Sequence, residues 1–539
     1  MLLHSLIRLQ RKIRRVTTEQ TKTFDLSASF KAYDVRGIVG ESITAEIVEA
    51  VGAAFVDVLQ LEGETVLVGG DMRPSSPEFS KAFADGAARR GANVQLLDLI
   101  STDELYYACG ALNAAGATFT ASHNPAEYNG IKMAKAGAEP ISSESGLKEI
   151  QDRAEEYLNS GSIPAAPSRG LIGVHDVLKG YSEYLRSLVD LRGTRPLKVV
   201  VDAGNGMAGL TTPAVLGDAL LPKLPLEIIP LYFELDGSFP NHPANPLEPE
   251  NLRDLQAAVV EHGADIGLAF DGDADRCFVI DEKGDPVSPS AITGMVARRE
   301  IARAQGLGEA TPTVIHNLLT SRAVPELVER HGGRAVRTRV GHSFIKATMR
   351  ERGAVFGGEL SGHFYFQENH TCDSGMIAMV TVLSFLCSPE NRGKPVSELL
   401  ADLRRYHATG EINFEVPDKD AAIAGLKERY GDARQDELDG ITVEYGELGD
   451  PDWWWFNVRA SNTEPLLRLN LEAATAEFAQ SGFEGASYNR IIAASGISKG
   501  AMYYYFDDKA DLFATVCRQA WAQLVETEQL FMAMPDANF

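Results

Sequence analysis

The chain has 539 residues, more than a single hydrophobic core usually supports, so several domains are expected. Hydrophobic residues make up 44% of the sequence, which excludes an intrinsically disordered protein. The formal net charge of -24 argues against a general affinity for nucleic acid or anionic membranes, because clustered Lys and Arg bind those surfaces. An acidic chain can still bind a phosphorylated sugar where a few cations converge in one cleft.

Cysteine usage and apolar runs bear on the compartment. The five cysteines are scattered without a CxxC spacing, which predicts reduced thiols and neither a zinc site nor a disulfide framework. The longest apolar run, MIAMVTVLSFLC from Met376, is too short to cross a bilayer and predicts a buried helix. Residues 1–27 form a basic extension without the apolar core of a signal peptide, and we interpret them as a frayed extension or a misplaced start. These features predict a cytoplasmic protein with no membrane partner.

Apolar strands alternate with helical patterns from about residue 30 to 389, which predicts α/β layers with functional loops at the strand ends. The stretch SGSIPAAPSRG at 160–170 has the composition of a linker. Beyond Gly410 the pattern changes to ITVEYGEL and WWWFNVRAS, which is typical of a separate α+β unit. We predict α/β domains at 28–170, 171–285 and 286–402, a smaller α+β domain at 403–472 and an all-α segment at 473–539.

The first motif of chemical interest is TASHNPAEYNGIK at 120–132. Ser122 follows an apolar strand, and an exposed serine at a strand end can carry a phosphoryl group. His123, Asn124 and Lys132 could orient or neutralise that group. The alternative is a polar turn capped by Asn-Pro, and the motif alone is equally compatible with both.

The segment GNGMAG at 204–209 matches the dinucleotide pattern GxGxxG after the strand LKVVVDA. Glu227 lies near the spacing expected of a ribose-binding acid, but the Pro-rich stretch LPKLPLEIIP around it weakens the match. We therefore interpret the motif as a tight strand-to-helix turn. A dinucleotide-dependent oxidoreductase is left as a distant alternative.

Three carboxylates, Asp271, Asp273 and Asp275, occur in the segment IGLAFDGDADRCFVIDEKG. Such a cluster of hard oxygens repels itself unless a divalent cation neutralises it. With Glu282 at its twelfth position the segment partly imitates an EF-hand calcium loop. Arg276, however, stands where that loop needs glycine, and both flanks have strand character. The sequence therefore favours a magnesium site with open positions for a phosphate over a calcium site or a plain acidic turn.

Two further loops carry polar side chains suited to a sugar phosphate. In GGELSGHFYF the alternating Glu359, Ser361 and His363 suit vicinal hydroxyls, and a glycine-rich turn with incidental polar groups is the alternative. The loop RASNTEP at 459–465 offers a guanidinium and short donors that suit a phosphate dianion, from Arg459, Ser461, Asn462 and Thr463. A solvated β-turn is equally compatible with this second loop.

Taken together and in this order, the motifs resemble those of the α-D-phosphohexomutase family, in its phosphomannomutase/phosphoglucomutase branch. The resemblance runs from about Phe30 to Glu472 and includes FKAYDVRG. It implies an α/β protein of four domains around a central cleft, three related α/β domains and a smaller α+β one. It also implies interconversion of mannose 6-phosphate and mannose 1-phosphate, and of glucose phosphates. The implied cofactor is Mg²⁺, with hexose 1,6-bisphosphate as activator and intermediate.

The resemblance further implies a role for each motif residue. Ser122 would carry the phosphoryl group and bind Mg²⁺ together with Asp271, Asp273 and Asp275. Lys132 and His342, the latter in RTRVGHSFIK, are candidates for acid/base work. The other residues would bind substrate groups: Arg36 and Arg276 the phosphate near the serine, Glu359, Ser361 and His363 the sugar hydroxyls, and Arg459, Ser461, Asn462 and Thr463 the phosphate that is not transferred.

Two positions bear on the choice of sugar. Phosphoglucosamine mutases tend to carry Gln where this chain has Leu360, so GELSGH favours mannose or glucose phosphate. Some relatives have a substrate-contacting Lys where the segment VIHNLLTSRAV has Leu319. Arg322 could compensate, and the departure leaves the sugar preference open.

The C-terminal segment from Ala473 resembles the helix-turn-helix domain of TetR-type transcriptional regulators, through FAQSGFEGAS, IIAASGISKGAMYYYF and DKADLF. Gly496 would make the turn, and the resemblance implies DNA or phosphate contacts at Lys499, Tyr504 and Lys509. Residues 473–539 carry four basic against eight acidic side chains, and we do not expect them to include the ligand-binding and dimerisation portion of such regulators. A DNA-binding regulator is the alternative function, with weak DNA binding expected, and a three-helix appendage without function is equally compatible with the segment.

The stretch LLRLNLEAATAEFAQSGF at 466–483 fits both patterns. Its first half completes the last strand of a mutase domain, and its second half opens a regulator domain. We interpret it as a seam between two fused sequences. A helix over 473–480 is predicted to replace the closing helix of the mutase domain or to leave that sheet partly uncovered.

Overall fold

The computed structural model describes residues 23–191, 196–416, 418–448, 453–461 and 466–473. These residues form two compact units, the first within 23–286 and 363–392 and the second within 287–362 and 393–473. Several predictions lie outside the described residues: the phosphate ligands Asn462 and Thr463, the helix that would follow Ala473, and the DNA contacts Lys499, Tyr504 and Lys509.

The first part of the first unit is a mixed sheet covered by helices. Its elements are β1 (Val35–Ile38), α1 (Ala45–Leu59), β2 (Thr65–Gly70), α2 (Ser76–Arg89), β3 (Asn93–Leu99), α3 (Thr102–Ala111), β4 (Ala115–Phe119), β5 (Tyr128–Lys135), β6 (Glu139–Pro140), α4 (Lys148–Ser160) and β7 (Ile172–Val174). The strands follow the order β1-β5-β4-β2-β3-β7, with β6 paired to β5. Strands β2, β3 and β4 are parallel, and β5 runs antiparallel to β4.

Local sequence explains why this sheet and its helices form. Thr44 caps α1 by accepting a hydrogen bond from the Ile47 N–H, and α3 begins with a capping box. Apolar side chains of α1 and α2 meet across the interface, where the Phe55 and Phe83 rings lie 5.5 Å apart. All five residues of β4 are buried, as a central strand requires. The carboxyl end of β4 is therefore a rigid support for the loop that follows.

The second part of the first unit repeats the strand-helix alternation. It contains α5 (Leu178–Ser187), β8 (Leu197–Asp202), α6 (Ala208–Leu216), β9 (Leu226–Leu231), α7 (Arg253–His262), β10 (Ile266–Phe270) and β11 (Cys277–Ile280). Strand β8 is parallel to both β9 and β10, and β11 returns antiparallel to β10. The strand IGLAF of β10 is completely buried, so the turn after it is held at the edge of a packed core.

The next elements in chain order are shared between the units. They are β12 (Pro286–Val287), α8 (Pro289–Gly306), β13 (Thr313–Asn317), α9 (Ala323–Arg330), β14 (Arg334–Thr338), α10 (His342–Arg352), β15 (Phe356–Gly358), β16 (Phe364–Phe366), β17 (Cys372–Asp373) and α11 (Gly375–Cys387). In the second unit β13 pairs in parallel with β14 and β15. Strands β16 and β17 and helix α11 belong to the first unit. Helix α11 confirms the buried helix predicted from Met376.

The second unit ends in an antiparallel sheet with one helix packed on it. Its elements are α12 (Val396–Leu399), β18 (His407–Glu415), α13 (Lys419–Arg429), β19 (Arg434–Asp436), β20 (Ile441–Tyr445), β21 (Trp454–Ala460) and β22 (Leu466–Ala473). The strand order is β18-β22-β21-β20-β19. Strand β22 confirms the strand predicted for the first half of the seam, and the α+β character predicted beyond Gly410 is confirmed as well.

The first sheet and the helices packed on it include residues beyond two predicted boundaries. Phe24 and Leu26 donate backbone hydrogen bonds to Asn159 and Glu155 on α4, so the end of the predicted extension is part of the fold. After the linker, Ile172–Val174 returns to pair with β3, past the predicted boundary at 170. Among the described residues, no helix combines the length and apolar character that a bilayer crossing needs.

Candidate active site

Ser122 lies in the loop that follows β4. Its Oγ donates a hydrogen bond to Asp271 Oδ2 at 2.6 Å, and its backbone N–H donates to Thr120 Oγ1 at 2.9 Å. Its φ of 50° is left-handed, a conformation that costs a residue other than glycine roughly 1–3 kcal/mol and persists where the surroundings impose it. The structure thus holds this serine in a fixed turn against the acidic loop.

The three carboxylates of the acidic loop, Asp271, Asp273 and Asp275, lie between the antiparallel strands β10 and β11. The strand flanks confirm the difference from an EF-hand, which is flanked by helices. One carboxylate oxygen from each residue lies within 4.8 Å of the others, and all three side chains are buried. Gly272 permits the close approach to the serine loop, because a Cβ there would lie 2.4 Å from the Ser122 carbonyl oxygen.

The segment GNGMAG is a strand-to-helix turn, as predicted. Asn205 adopts a left-handed φ of 58°, and α6 begins three residues later. The Met207 N–H donates to the Gly272 carbonyl at 2.9 Å. The glycine-rich turn therefore supports the acidic loop through its backbone.

Two cations neutralise the acidic loop. Lys132 Nζ lies 2.6 Å from Asp273 Oδ2 and 2.5 Å from Asp275 Oδ2. Arg276 Nε donates to Asp271 Oδ2 at 2.9 Å, and its NH2 lies 3.3 Å from Ser122 Oγ. Of the predicted catalytic residues, Ser122, Lys132 and Arg276 therefore all contact the carboxylates of the acidic loop.

Arg36 contacts the neighbours of Ser122 in the serine loop and makes no hydrogen bond to the serine itself. Its guanidinium donates to Asn124 Oδ1 at 2.6 Å and pairs with Asp34 Oδ2 at 2.6 Å. His123 Nδ1 lies 2.5 Å from Arg276 NH2. The serine loop thus contacts two guanidinium groups, which are suited to binding a phosphoryl dianion.

Burial and charge shift the pKa values of these groups. Burial raises the pKa of Asp271 to about 7, against the opposing charge of Arg276. Burial also acts to raise the pKa of Asp273, but the Lys132 ammonium outweighs it and holds that pKa well below its usual range. Burial, together with the charge of Arg276, lowers the pKa of His123 to about 2, so its imidazole is neutral.

The donor set fits a hard divalent cation. Asp273 Oδ1 and Asp275 Oδ1 are buried and accept no hydrogen bond from the described residues. Buried carboxylate oxygens without a partner are costly, and Mg²⁺ takes oxygen ligands of this kind. The Lys132 ammonium contacts the other oxygen of the same two carboxylates, so a cation and the ammonium would share these ligands.

Two residues that contact this cluster were not identified from the sequence. Thr102, at the start of α3, donates its hydroxyl to Asp273 Oδ2 at 2.5 Å and its backbone N–H to the Asp273 carbonyl at 3.1 Å. Asp373 pairs with His363 Nδ1 at 2.9 Å, and His363 lies 3.9 Å from Asp275 Oδ1. The available signal for Thr102 was its place three residues after the end of β3, at the start of a helix. Nothing local marked Asp373.

His363 belongs to the first unit, although the sequence grouped it with Glu359 and Ser361. Burial acts to lower its pKa, but the charges of Asp275 and Asp373 outweigh burial and raise it. In the second unit, Ser361 Oγ donates to Glu359 Oε2 at 2.7 Å. The sequence motif is thus continuous, while its side chains pack in different units.

The other predicted ligands lie in the second unit. His342 begins α10 and is half-buried. Arg459, near the end of β21, donates to Glu411 Oε2 at 2.9 Å. Arg468 joins this pair to the loop, because it donates to Glu411 Oε1 at 3.2 Å and to Ser461 Oγ at 3.3 Å. Glu411 and Arg468 therefore link Arg459 to Ser461.

Arg322, which could compensate for the lysine that some relatives have at the position of Leu319, makes several contacts within the second unit. The Arg322 guanidinium lies 4.8 Å over the Trp455 ring and 3.8 Å from Glu444 Oε2, and its backbone N–H donates to Glu472 Oε2 at 3.0 Å. Leu319 is buried. In this arrangement Arg322 ties α9 to the C-terminal sheet of the second unit.

Family models match the chain in consecutive stretches. The models described as phosphoglucomutase/phosphomannomutase, alpha/beta/alpha domains I, II and III match residues 27–160, 179–284 and 288–406. The C-terminal domain model of the same family matches residues 411–484. A model of the tetR family of bacterial regulatory proteins matches residues 471–516 and overlaps the end of the preceding match.

Individual proteins match over most of their length. The chain is 39% identical to a phosphohexose mutase of Xanthomonas campestris pv. campestris over 448 residues, which cover 82% of this chain and 94% of the relative. It is 39% identical to a phosphomannomutase of Escherichia coli over 449 residues, with the same coverage. The X-ray structure of a phosphoglucomutase/phosphomannomutase family protein from Burkholderia thailandensis matches with a TM-score of 0.73 at 30% identity, covering 87% of this chain and 98% of that one.

Proposed function

The chain belongs to the phosphoglucomutase/phosphomannomutase family, and on that premise we propose that it interconverts mannose 6-phosphate and mannose 1-phosphate through a phosphorylated Ser122. The corresponding glucose phosphates are proposed as further substrates. The observation that carries the proposal is the convergence of the Ser122 hydroxyl, three buried carboxylates and the cations Lys132 and Arg276 at one point.

The reaction proceeds by two phosphoryl transfers. Phospho-Ser122 gives its phosphoryl group to a free hydroxyl of the hexose phosphate, so the Oγ–P bond breaks as a new sugar O–P bond forms. The hexose 1,6-bisphosphate then reorients and returns its other phosphoryl group to Ser122 Oγ. In each transfer the attacking hydroxyl loses a proton and the leaving oxygen gains one. We assign this proton transfer to Lys132 and His342.

The residues around the serine hold the transferring group in place. Arg276 NH2, 3.3 Å from Ser122 Oγ, stabilises charge on the phosphoryl oxygens, and Arg36 orients the loop through Asn124. Mg²⁺ bound by Asp271, Asp273, Asp275 and the phosphoserine would neutralise the charge that develops during transfer. The left-handed backbone of Ser122 aims the Oγ at this cluster.

Other side chains recognise the substrate. Glu359, Ser361 and His363 are proposed to bind sugar hydroxyls. Arg459, Ser461, Asn462 and Thr463 bind the phosphate that is not being transferred. The buried Arg459 guanidinium suits this role, because a planar fork of donors binds a phosphate with two parallel hydrogen bonds.

Replacing Ser122 with Ala tests the mechanism. The variant is expected to lose interconversion of mannose 1-phosphate and mannose 6-phosphate and to take no phosphoryl group from glucose 1,6-bisphosphate. Ser160→Ala, at an exposed position on α4, is the matched control and should keep both activities. Full activity in the Ser122 variant would refute the phosphoserine mechanism. Coupled assays with mannose 1-phosphate and glucose 1-phosphate, run on the same preparation, measure the sugar preference.

A second candidate function is DNA binding, favoured by the match of residues 471–516 to the tetR family. Lys499, Tyr504 and Lys509 would contact DNA. A gel-shift experiment compares the full chain with a chain that ends at residue 472. A salt-sensitive shift that disappears on truncation supports DNA binding, and no shift by the full chain at low salt refutes it.

A further inference from the structure

Arg73 is a buried arginine beneath the loop that carries Ser122. Its side chain is 1% exposed. The two terminal nitrogens of its guanidinium donate to four backbone carbonyl oxygens of that loop, at 2.7–2.9 Å, those of Ser122, Asn124, Pro125 and Tyr128. All four N–H groups on these nitrogens are thus directed at a single loop.

The other contacts of Arg73 hold the guanidinium in place. Its Nε lies 3.3 Å from Asp71 Oδ2, and the Asp71 carboxylate also accepts hydrogen bonds from the Arg73 N–H and from Ser76 Oγ. The Phe239 ring lies 5.1 Å from the guanidinium carbon. Both charges of the pair are therefore buried, and removing either partner would leave the other charge buried without an ion pair to Arg73 or Asp71.

The loop needs such a support because its backbone is strained at the reacting residue. Ser122 has a left-handed φ of 50°, which the surrounding structure must impose. Arg73 binds the Ser122 carbonyl, and Thr120 Oγ1 accepts the Ser122 N–H at 2.9 Å. The peptide groups on both sides of the serine are therefore anchored, and the direction of its Oγ follows from them.

We propose that Arg73 is a positioning residue for phosphoryl transfer, which fixes the Ser122 loop in its strained conformation by binding four of its carbonyl oxygens. The inference rests on the proposed role of Ser122 as phosphoryl carrier. In this role Arg73 acts through the backbone of the serine loop and not through a contact with Ser122 Oγ or with the acidic loop. A lysine cannot replace it. Its ammonium has three N–H donors on one nitrogen, whereas the planar guanidinium directs four N–H groups from two nitrogens at the four carbonyls.

The test compares Arg73→Lys with Arg186→Lys. Arg186 is a matched control, because its guanidinium also gathers backbone carbonyls, those of Val215, Pro222 and Gly217, but away from the serine loop. The measurements are kcat and KM for mannose 1-phosphate, the mass increase on incubation with glucose 1,6-bisphosphate, and the melting temperature. Thr120→Val, which removes the acceptor of the Ser122 N–H, is the second variant if Arg73→Lys does not fold.

A misplacement of about 1 Å at a reacting group costs on the order of 100-fold in rate, so kcat of Arg73→Lys is expected to fall by about that factor. Its KM should stay within about threefold, since the contacts to substrate are unchanged. Arg186→Lys should keep kcat even where its melting temperature falls. Thr120→Val should show the same fall in kcat at constant KM.

Two results overturn the inference: a folded Arg73→Lys with unchanged kcat, or an equal loss of kcat in Arg186→Lys, which would mean general destabilisation. If Arg73→Lys does not fold, an unchanged kcat in Thr120→Val overturns the inference. Wild-type protein that takes up no phosphoryl group refutes the proposed function itself. If the wild-type protein is phosphorylated and Arg73→Lys has the same kcat as the wild type, the positioning role is refuted while the proposed function stands.

Discussion

Replacing Gly272 with Ala adds one methyl group between the acidic loop and the serine loop, which forces the two loops apart. A Cβ on Gly272 would lie 2.4 Å from the Ser122 carbonyl oxygen. Carbon and oxygen atoms that are not bonded stay more than about 3 Å apart, so the two loops must separate by roughly 0.6 Å or more. The clash is between a Cβ, whose position the backbone of residue 272 fixes, and a backbone carbonyl oxygen. No change of side-chain rotamer can therefore relieve it.

The expected effect is a loss of turnover with little loss of structure. Separation lengthens the 2.6 Å contact between Ser122 Oγ and Asp271 Oδ2 and shifts the serine relative to the proposed metal ligands. A displacement on the order of 1 Å at a reacting group lowers the rate by about 100-fold. Overpacking of this kind destabilises a protein by roughly 1–3 kcal/mol.

The assay is kcat for mannose 1-phosphate, with urea unfolding measured on the same preparation. Gly306→Ala is the control, because Gly306 ends α8 and a Cβ there meets no atom within 4 Å. The control should keep full activity. A folded Gly272→Ala protein with wild-type kcat would refute the argument that the close approach of the two loops sets the geometry of transfer.

Thr102, Lys132 and Glu104 are three buried or partly buried residues whose replacement has a measurable effect. Thr102→Val removes the hydroxyl that holds Asp273 at 2.5 Å and is expected to weaken Mg²⁺ binding by about 10–100-fold, measured by titration calorimetry. Lys132→Met removes the ammonium that shares Asp273 and Asp275 with a cation, so it should tighten Mg²⁺ binding by about tenfold or more while lowering kcat. Burial raises the pKa of Glu104 from 4.5 to about 8, so the folded protein binds more protons than the unfolded one between these pH values. The free energy of unfolding should therefore fall as pH rises from 5 to 8, and Glu104→Gln should reduce that fall, as measured by urea unfolding across this range.

Each of these predictions has a control and a contradicting result. Thr293→Val removes a buried hydroxyl that donates to the Pro289 carbonyl within α8, and it should leave Mg²⁺ binding unchanged. Equal Mg²⁺ binding by wild type and the Thr102 variant would contradict the prediction. Lys135→Met removes an exposed ion pair and is the control, which should leave Mg²⁺ binding unchanged. Weaker Mg²⁺ binding by Lys132→Met would contradict the prediction that the ammonium and the cation share carboxylate ligands. Glu46→Gln, at an exposed position in the first turn of α1, should not alter the pH dependence. An identical slope in wild type and Glu104→Gln would exclude Glu104 as its source.

Contiguous motifs made much of the candidate site predictable. The apolar strands before Ser122 and Asp271 indicated rigid supports, and the alternation of aspartates indicated a cation site before any contact was known. The strand flanks also separated the acidic loop from an EF-hand, and the structure confirms this. Each of these inferences concerns residues within one turn or one hairpin, where chain geometry limits the possible arrangements.

Residues that act from a distance could not be predicted in the same way. Thr102 lies 171 residues from Asp273, and nothing in its own segment names that partner. Arg73 appears in the sequence as one arginine after a strand, and its four carbonyl partners carry no side-chain signal at all. His363 was assigned with Glu359, while the structure places it in the first unit beside Asp373.

The sequence by itself determined the order of the elements, the phosphohexomutase resemblance and the residue types at the reacting centre. These depend on local pattern, which survives without knowledge of the fold. Only the tertiary structure decided which cation neutralises which carboxylate, how the serine backbone is strained, and which buried groups hold it there. The reason is physical: the pairing of buried charges and the anchoring of a strained loop depend on distances between segments far apart in the chain, and packing alone sets those distances.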